Sequence, residues 1–179
     1  FVNKVTSSSV TLSFTFNKAA SAEITAGGKN YSGNGRQKHH EILIDGLEPN
    51  SQYAYRVNYG EFSREYSFTT APEPGSRTEF TFSYTSDSRA GQGGGERNLF
   101  GTNYYIMKKI MALNMQEDVA FAQFSGDLIN GYLTDVGATE LQYANSKRAV
   151  EPFAHYFPIY TSMGNHENIS RNFVDTVTD

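Results

Sequence analysis

The chain has 179 residues and no cysteine, and its 15 Lys and Arg against 19 Asp and Glu give a formal net charge of −4. The lack of cysteine excludes disulfides, zinc fingers and thiol catalysis, and the acidic balance argues against a nucleic-acid-binding surface. No apolar run approaches the roughly 20 residues of a membrane span. The aromatic fraction of 14%, which comes from Tyr and Phe alone, favours a folded protein with half-buried β-strands.

The first third of the chain alternates apolar and polar residues, as strands with one buried face do. The alternation is clearest in VTLSFTF (residues 10–16) and QYAYRVNY (residues 52–59), and a Pro- and Gly-containing linker follows at residues 71–75. This pattern predicts an all-β sandwich over residues 1–72. His39 and His40 are adjacent on a predicted strand and so face opposite ways, and we interpret both as surface or edge residues rather than as one metal site.

The segment LEPNSQYAYRVNYG, followed by YSFTTAPEPG, resembles the second half of a fibronectin type III-like domain. In that resemblance Tyr53 stands at the tyrosine corner, where a tyrosine hydroxyl ties a turn to the start of a strand. The resemblance implies a structural role for Tyr53.

After the linker, apolar runs alternate with helical patterns. Strands are predicted at residues 80–86, 119–124 and 157–160, and helices at 103–114 and 139–150. In the first helix Ile106, Ile110 and Leu113 form one apolar stripe, which we expect to be buried. The order strand, helix, strand, helix, strand predicts an α/β layer over residues 73–179.

Polar residues follow each of these three strands. Asp87 follows the first, Gly126-Asp127 the second, and Asn165-His166-Glu167 the third. In parallel sheets ligands bind at the carboxyl ends of the strands, and two carboxylates, an amide and an imidazole suit a divalent metal. Taken singly, Asp87 is also compatible with a helix cap, Gly126-Asp127 with a turn, and His166 with a hydrogen-bonded surface histidine.

As an ordered set, Asp87-Ser88-Arg89, Gly126-Asp127-Leu128 and Gly164-Asn165-His166-Glu167 resemble the first three motifs of calcineurin-like metallophosphoesterases. A fibronectin-like domain in front of these motifs resembles the purple acid phosphatases in particular. The fold implied for residues 73–179 is therefore the N-terminal part of a metallophosphoesterase α/β sandwich.

The resemblance implies a dinuclear site for two divalent ions (Mn, Zn or Fe) that hydrolyses a phosphate ester through a metal-bound hydroxide. Asp87 would bind the first metal, Asp127 would bridge both and Asn165 would bind the second. His166 would contact the phosphate and protonate or stabilise the leaving oxygen, and Glu167 would support the loop or the orientation of His166.

Two positions depart from the family pattern. Asn130 stands where purple acid phosphatases have an iron-binding tyrosine, with Tyr132 two places further on, so we expect no purple iron centre. Arg89 replaces a family His or Gly, and its guanidinium is suited either to hold a phosphate or to form a surface salt bridge. The glycine-rich residues 91–95 lack P-loop and dinucleotide spacing, and we interpret them as a lid or specificity loop.

The family's later histidine motifs are not found in this sequence, whose four histidines are His39, His40, His155 and His166. Two explanations remain open: a proteolytic or engineered N-terminal piece, or assembly with a second polypeptide that carries the missing histidines. In either case this chain alone is expected to be inactive, and an extracellular or periplasmic location is inferred from the resemblance. The alternative function is a non-catalytic binding or adhesion fragment with a fibronectin-like recognition domain.

Overall fold

A computed structural model describes residues 1–90 and 99–169. The chain forms two compact units. The first contains Phe1–Phe80 and Ala154–Pro158, and the second contains Thr81–Phe153 and the described residues from Ile159 onward. Residues 73–80, which the sequence assigns to the second domain, thus belong to the first unit.

The first unit is built from two antiparallel sheets. Its strands are β1 (Val2–Asn3), β2 (Ser9–Ala20), β3 (Glu23–Ala26), β4 (Lys29–Ser32), β5 (Gln37–Asp45), β6 (Gln52–Tyr59) and β7 (Phe62–Thr69). One sheet has the order β1-β2-β5 and the other β4-β3-β6-β7. The two sheets contribute to one apolar core, which is the arrangement of a β-sandwich.

Alternation along the strands places every second side chain in this core. Val10 and Leu12 of β2, Ile42 and Ile44 of β5, and Tyr55 of β6 are at most 4% exposed. Burying one such aliphatic side chain contributes about 1.5–3 kcal/mol. The predicted antiparallel sandwich is therefore observed.

Tyr53 ties the turn before β6 to that strand, as predicted. Its hydroxyl accepts a hydrogen bond from the backbone N–H of Glu48 at 2.8 Å, and its ring stacks on Phe68 with 5.9 Å between centroids. The hydrogen bond fixes the entry of β6, and the stacking anchors the tyrosine to β7.

His39 and His40 do face opposite ways, but only His39 lies on the surface. His40 is fully buried between Phe14 and Phe16, with centroid distances of 5.4 Å to each ring. Its Nε2 lies 2.9 Å from the carbonyl of Ala20. The interpretation of His40 as a surface or edge residue is wrong, because aromatic side chains of the neighbouring strand enclose it.

Residues 154–158 complete the first unit although they lie far along the chain. The carbonyl of Ala154 accepts a hydrogen bond from the backbone N–H of Val2 at 2.7 Å. The carbonyl of His155 accepts one from the Tyr55 hydroxyl at 2.8 Å, and the His155 ring stacks on Tyr66 at 4.1 Å. Burial, together with the nearby Tyr66 and Tyr156, raises the pKa of Tyr55, so its hydroxyl stays protonated as a donor.

The second unit alternates strands and helices. Its elements are β8 (Phe82–Thr85), α1 (Tyr104–Gln116), β9 (Phe121–Phe124), α2 (Val136–Val150), β10 (Ile159–Thr161) and α3 (Asn165–Ile169). The strands pair in parallel in the order β10-β9-β8. Asn103 caps α1 by accepting from the N–H of Ile106, and Asp135 caps α2 by accepting from that of Ala138.

The buried stripe of α1 is displaced by one residue from the prediction. Met107, Met111 and Asn114 are buried, whereas Ile106 is 44% and Leu113 54% exposed. Both stripes have helical spacing, so the sequence alone cannot distinguish them. The expectation that Ile106 and Leu113 are buried is therefore wrong.

One face of the parallel sheet carries exposed aromatic residues. Phe82, Tyr84 and Tyr160 are all more than a third exposed, and Phe82 stacks on Phe121 at 5.1 Å.

Among the described residues, no helix is long and apolar enough to cross a membrane. The predicted lid at residues 91–95 lies outside the described residues.

Candidate active site

Three loops meet at the carboxyl edge of the parallel sheet. They follow β8, β9 and β10, and because the strands are parallel their carboxyl ends lie side by side. Backbone hydrogen bonds join the first two loops: Asp87 N–H to the Gly126 carbonyl and Arg89 N–H to the Asp127 carbonyl, both at 3.1 Å. The predicted clusters after these strands are thus neighbours.

Two glycines allow the second and third loops to touch. A Cβ on Gly126 would lie 2.6 Å from Gly164 Cα, and a Cβ on Gly164 would overlap the Asp127 side chain. Gly126 also has φ +112°, a conformation that side-chain-bearing residues rarely adopt. A residue with a side chain would clash at either position, which explains why both motifs have glycine there.

Glu167 joins the same two loops with its buried carboxylate. Its oxygens accept hydrogen bonds from the backbone N–H groups of Asp127 (2.9 Å), Ile129 (3.2 Å) and Gly164 (2.8 Å). The side chain is fully buried. Three backbone donors compensate for the burial of one carboxylate, so Glu167 supports the loop.

Asp127 and His166 contact each other through both backbone and side chain. Asp127 Oδ1 accepts from the His166 backbone N–H at 3.1 Å, and Oδ2 lies 3.9 Å from His166 Nε2. The other ring nitrogen, Nδ1, lies 2.5 Å from the carbonyl of Asn130. Since a carbonyl only accepts, Nδ1 carries the proton in this arrangement, and Nε2 is the nitrogen on the side of Asp127.

Arg89 lies beside both carboxylates of the site. Its Nε is 3.3 Å from Asp127 Oδ2 and 3.7 Å from Asp87 Oδ1. Asp87 is well exposed, and its Oδ2 accepts a hydrogen bond from the Ser86 hydroxyl at 2.5 Å. This hydrogen bond is the main cause that lowers the pKa of Asp87, and the charge of Arg89 lowers it further.

Asn165 lies at the border of the group. Its Nδ2 is 3.4 Å from the Tyr132 hydroxyl, and the Tyr132 ring meets His166 edge-on with 4.5 Å between centroids. The structure thus brings Asp87, Arg89, Asp127 and His166 together and links Asn165 to them through Tyr132. The sequence draws attention to Asn130 and Tyr132 only by comparison with the family's iron-binding tyrosine. It does not indicate that the Asn130 carbonyl and the Tyr132 ring contact His166, because those contacts depend on how the loops pack.

The donor chemistry of these residues suits a hard divalent ion, since two carboxylates and an amide oxygen are available. Within residues 1–90 and 99–169, however, no three His, Asp or Glu side chains are grouped as metal ligands. The guanidinium of Arg89 lies near both carboxylates instead. The role of Asp87, Asp127 and Asn165 as metal ligands therefore stays a prediction.

Comparison with known proteins finds a family match within the first unit. Residues 2–70 match the family described as Purple acid Phosphatase, N-terminal domain. The resemblance to purple acid phosphatases is confirmed for this N-terminal portion, and the β-sandwich is its fold.

One solved structure extends the likeness beyond the sandwich. The purple acid phosphatase PPD1 from seeds of yellow lupin (Lupinus luteus) superposes on 92% of this chain with a TM-score of 0.67 and 19% identity. This chain spans 34% of the length of the lupin protein, and the likeness is one of fold. The sensor domain of the anti-sigma factor RsgI4 from Pseudobacteroides cellulosolvens matches 40% of this chain and 90% of its own at 14% identity, with a TM-score of 0.33.

Proposed function

We propose that this chain carries part of the active site of a metal-dependent phosphoric ester hydrolase. The observation that supports the proposal most directly is the contact of His166 with Asp127 at the carboxyl edge of the parallel sheet. The fold likeness to a protein named purple acid phosphatase supports the same reaction class.

In this proposal Asp87, Asp127 and Asn165 would hold the metal. Two divalent ions (Mn, Zn or Fe) would supply positive charge that polarises the phosphoryl group and favours attack on phosphorus. Further ligands would come from residues beyond these three, on a second polypeptide or on a longer form of this chain. A location outside the cytoplasm is part of the same proposal.

His166 is proposed to handle the proton of the leaving oxygen. Because Nδ1 donates to the Asn130 carbonyl, Nε2 is the nitrogen that would take up a second proton from solvent and pass it to the departing alkoxide, which returns the ring to the Nδ1–H form. Asp127 Oδ2 lies 3.9 Å from this nitrogen.

Arg89 is proposed to hold the phosphate. Its side chain is 43% exposed, and its Nε lies 3.3 Å from Asp127 Oδ2. A guanidinium can donate two parallel hydrogen bonds to phosphate oxygens, which would orient the ester.

The test begins with the protein purified together with every polypeptide that accompanies it, identified by size exclusion and denaturing mass spectrometry. Hydrolysis of p-nitrophenyl phosphate and of bis(p-nitrophenyl) phosphate is then measured with and without Mn²⁺, Zn²⁺ or Fe²⁺. We expect metal-dependent hydrolysis that Asp127→Asn abolishes.

Asp118→Asn is the matched control, because Asp118 also has a positive φ (49°, against 55° at Asp127) and is exposed after α1. Full activity of Asp127→Asn would contradict the proposal. Absence of metal-dependent hydrolysis in the complete particle would instead favour the non-catalytic binding function.

A further inference from the structure

A side chain of α2 forms a hydrogen bond with the loop that follows β9. Gln142 of α2 is fully buried, and its Oε1 accepts a hydrogen bond from the backbone N–H of Gly131 at 2.9 Å. On the other side, the backbone N–H of Asn130 donates to the carbonyl of Gly101 at 2.9 Å. Two consecutive peptide groups of this loop are thus fixed by partners from different parts of the second unit.

The amide of Gln142 is confined to one orientation. Its oxygen must face Gly131, because the backbone group there is a donor. Its Nε2 is then buried without a hydrogen-bond partner among the described residues. A Cβ on Gly101 would lie 2.8 Å from Gln142 Cβ, so the Gln142 side chain packs directly against the backbone of Gly101.

An apolar side chain would avoid this unpaired donor, so packing alone does not explain a glutamine here. The requirement that the glutamine does meet is the hydrogen bond to Gly131. The residue next to Gly131 is Asn130, whose carbonyl accepts the Nδ1 proton of His166. The Tyr132 ring, on the other side of Gly131, packs edge-on against the same imidazole.

We propose that Gln142 is a positioning residue for His166. By holding the amide of Gly131, it orients the Asn130 carbonyl, which keeps the proton on Nδ1 and turns Nε2 toward Asp127. The inference deepens the proposed function, on which its catalytic meaning rests. The proton placement itself is a property of the chain that needs neither metal nor substrate.

The test is the tautomer of His166, read from long-range ¹H–¹⁵N spectra of the whole chain and assigned by comparison with His166→Gln. We expect a single Nδ1–H tautomer in the wild-type protein. Gln142→Met keeps the length of the side chain but removes the acceptor, and we expect it to yield a mixture of tautomers. Gln142→Glu keeps an acceptor oxygen and should preserve the wild-type pattern.

A general loss of packing is controlled by Met111→Ala, which opens a cavity under α1 and should leave the tautomer unchanged. A wild-type tautomer in folded Gln142→Met would overturn the proposal. So would an unprotected Gly131 amide in hydrogen exchange of the wild-type chain, a measurement that does not depend on the folding of any variant. Neither the tautomer nor the hydrogen exchange of Gly131 depends on hydrolysis. If the complete protein proved not to be a hydrolase, both results would still stand, so the proposed function and the role of Gln142 can be refuted independently.

Discussion

The carboxylate of Glu167 lies within 2.9 Å of the backbone nitrogen of Asp127, forty residues earlier in the chain. The Glu167 carboxylate thereby fixes the backbone of Asp127, and with it the position of the Asp127 side chain. The order of the residues within the third motif follows from this contact, since His166 N–H meets Asp127 Oδ1 while Glu167 holds the backbone behind it.

Glu167→Gln should destabilise the second unit by about 2 kcal/mol, because an amide offers one acceptor oxygen to a set of three backbone donors. The free energy of unfolding in urea, followed by circular dichroism at the helical wavelength, reports on α1 and α2 of this unit. Glu140→Gln, at an exposed position of α2, serves as the control and should change stability little. Equal stability of the two variants would contradict the role given to Glu167.

Gly164→Ala should destabilise the second unit by roughly 1–3 kcal/mol, because the new methyl group would overlap the Asp127 side chain. Gly137→Ala is the matched control in the same unit, since its Cβ would meet Asp135 Oδ1 at an ordinary 3.5 Å within α2. We expect that control to be neutral or to add about 0.5 kcal/mol through helix propensity. Denaturant unfolding compares the two, and an unaffected Gly164→Ala would show that the loops do not meet as described.

Tyr53→Phe should lower the stability of the first unit by about 1–2 kcal/mol, because the N–H of Glu48 loses its acceptor while the ring contacts remain. Tyr59→Phe is the comparison, because within the described part of the chain the Tyr59 hydroxyl has no hydrogen bond and its ring contacts are aromatic. The two variants are compared by near-ultraviolet circular dichroism during urea unfolding, which reports on the tyrosines of both units. A smaller effect at Tyr53 than at Tyr59 would argue against the tyrosine corner.

The first unit should lose stability as the pH falls from about 6.5 toward 4. Burial, with a smaller contribution from the charge of the N-terminal ammonium, lowers the pKa of His155 to about 4. The unfolded chain binds a proton on this histidine in that window and the folded chain does not, so unfolding is favoured at the lower pH. Because the ring is only partly buried, we expect about 1–2 kcal/mol after solvent screening.

The measurement is the free energy of unfolding at pH 4.5 and at pH 7. His155→Phe keeps the stacking on Tyr66 and should reduce the difference between the two values. His39→Gln alters an exposed histidine and should retain the wild-type difference. The same pH dependence in His155→Phe and the wild-type chain would exclude His155 as its source.

Local pattern predicts β6 because the alternation around Tyr53 and Tyr55 reflects a more buried and a more exposed face. It is less informative in β2, where Thr11 is buried along with Val10 and Leu12. The burial of His40 was missed, since enclosure by Phe14 and Phe16 depends on neighbouring strands. The stripe of α1 was misassigned because adjacent stripes of a helix share one spacing. Which side a helix buries is decided by its neighbours, and sequence periodicity does not report them.

The site motifs could be located from sequence because each follows a strand, but the contacts within the site could not. The Gly131 N–H donates a hydrogen bond to Gln142 Oε1, and this contact joins a loop residue to a helix residue, neither of which belongs to a motif. The proximity of Arg89 to both Asp87 and Asp127 depends on the pairing of two loops across the sheet edge. Such contacts are set by tertiary packing, which sequence patterns do not encode residue by residue.

The sandwich is not a continuous stretch of chain, since Ala154–Pro158 supplies acceptors to Val2 and Tyr55. During synthesis, the first eighty residues leave the ribosome well before these partners are made. Until α2 has also emerged, the nascent sandwich lacks these two hydrogen bonds. A pause in translation just ahead of Gly164-Asn165-His166-Glu167 is therefore expected to lengthen the time for which the incomplete sandwich is exposed to proteases and chaperones.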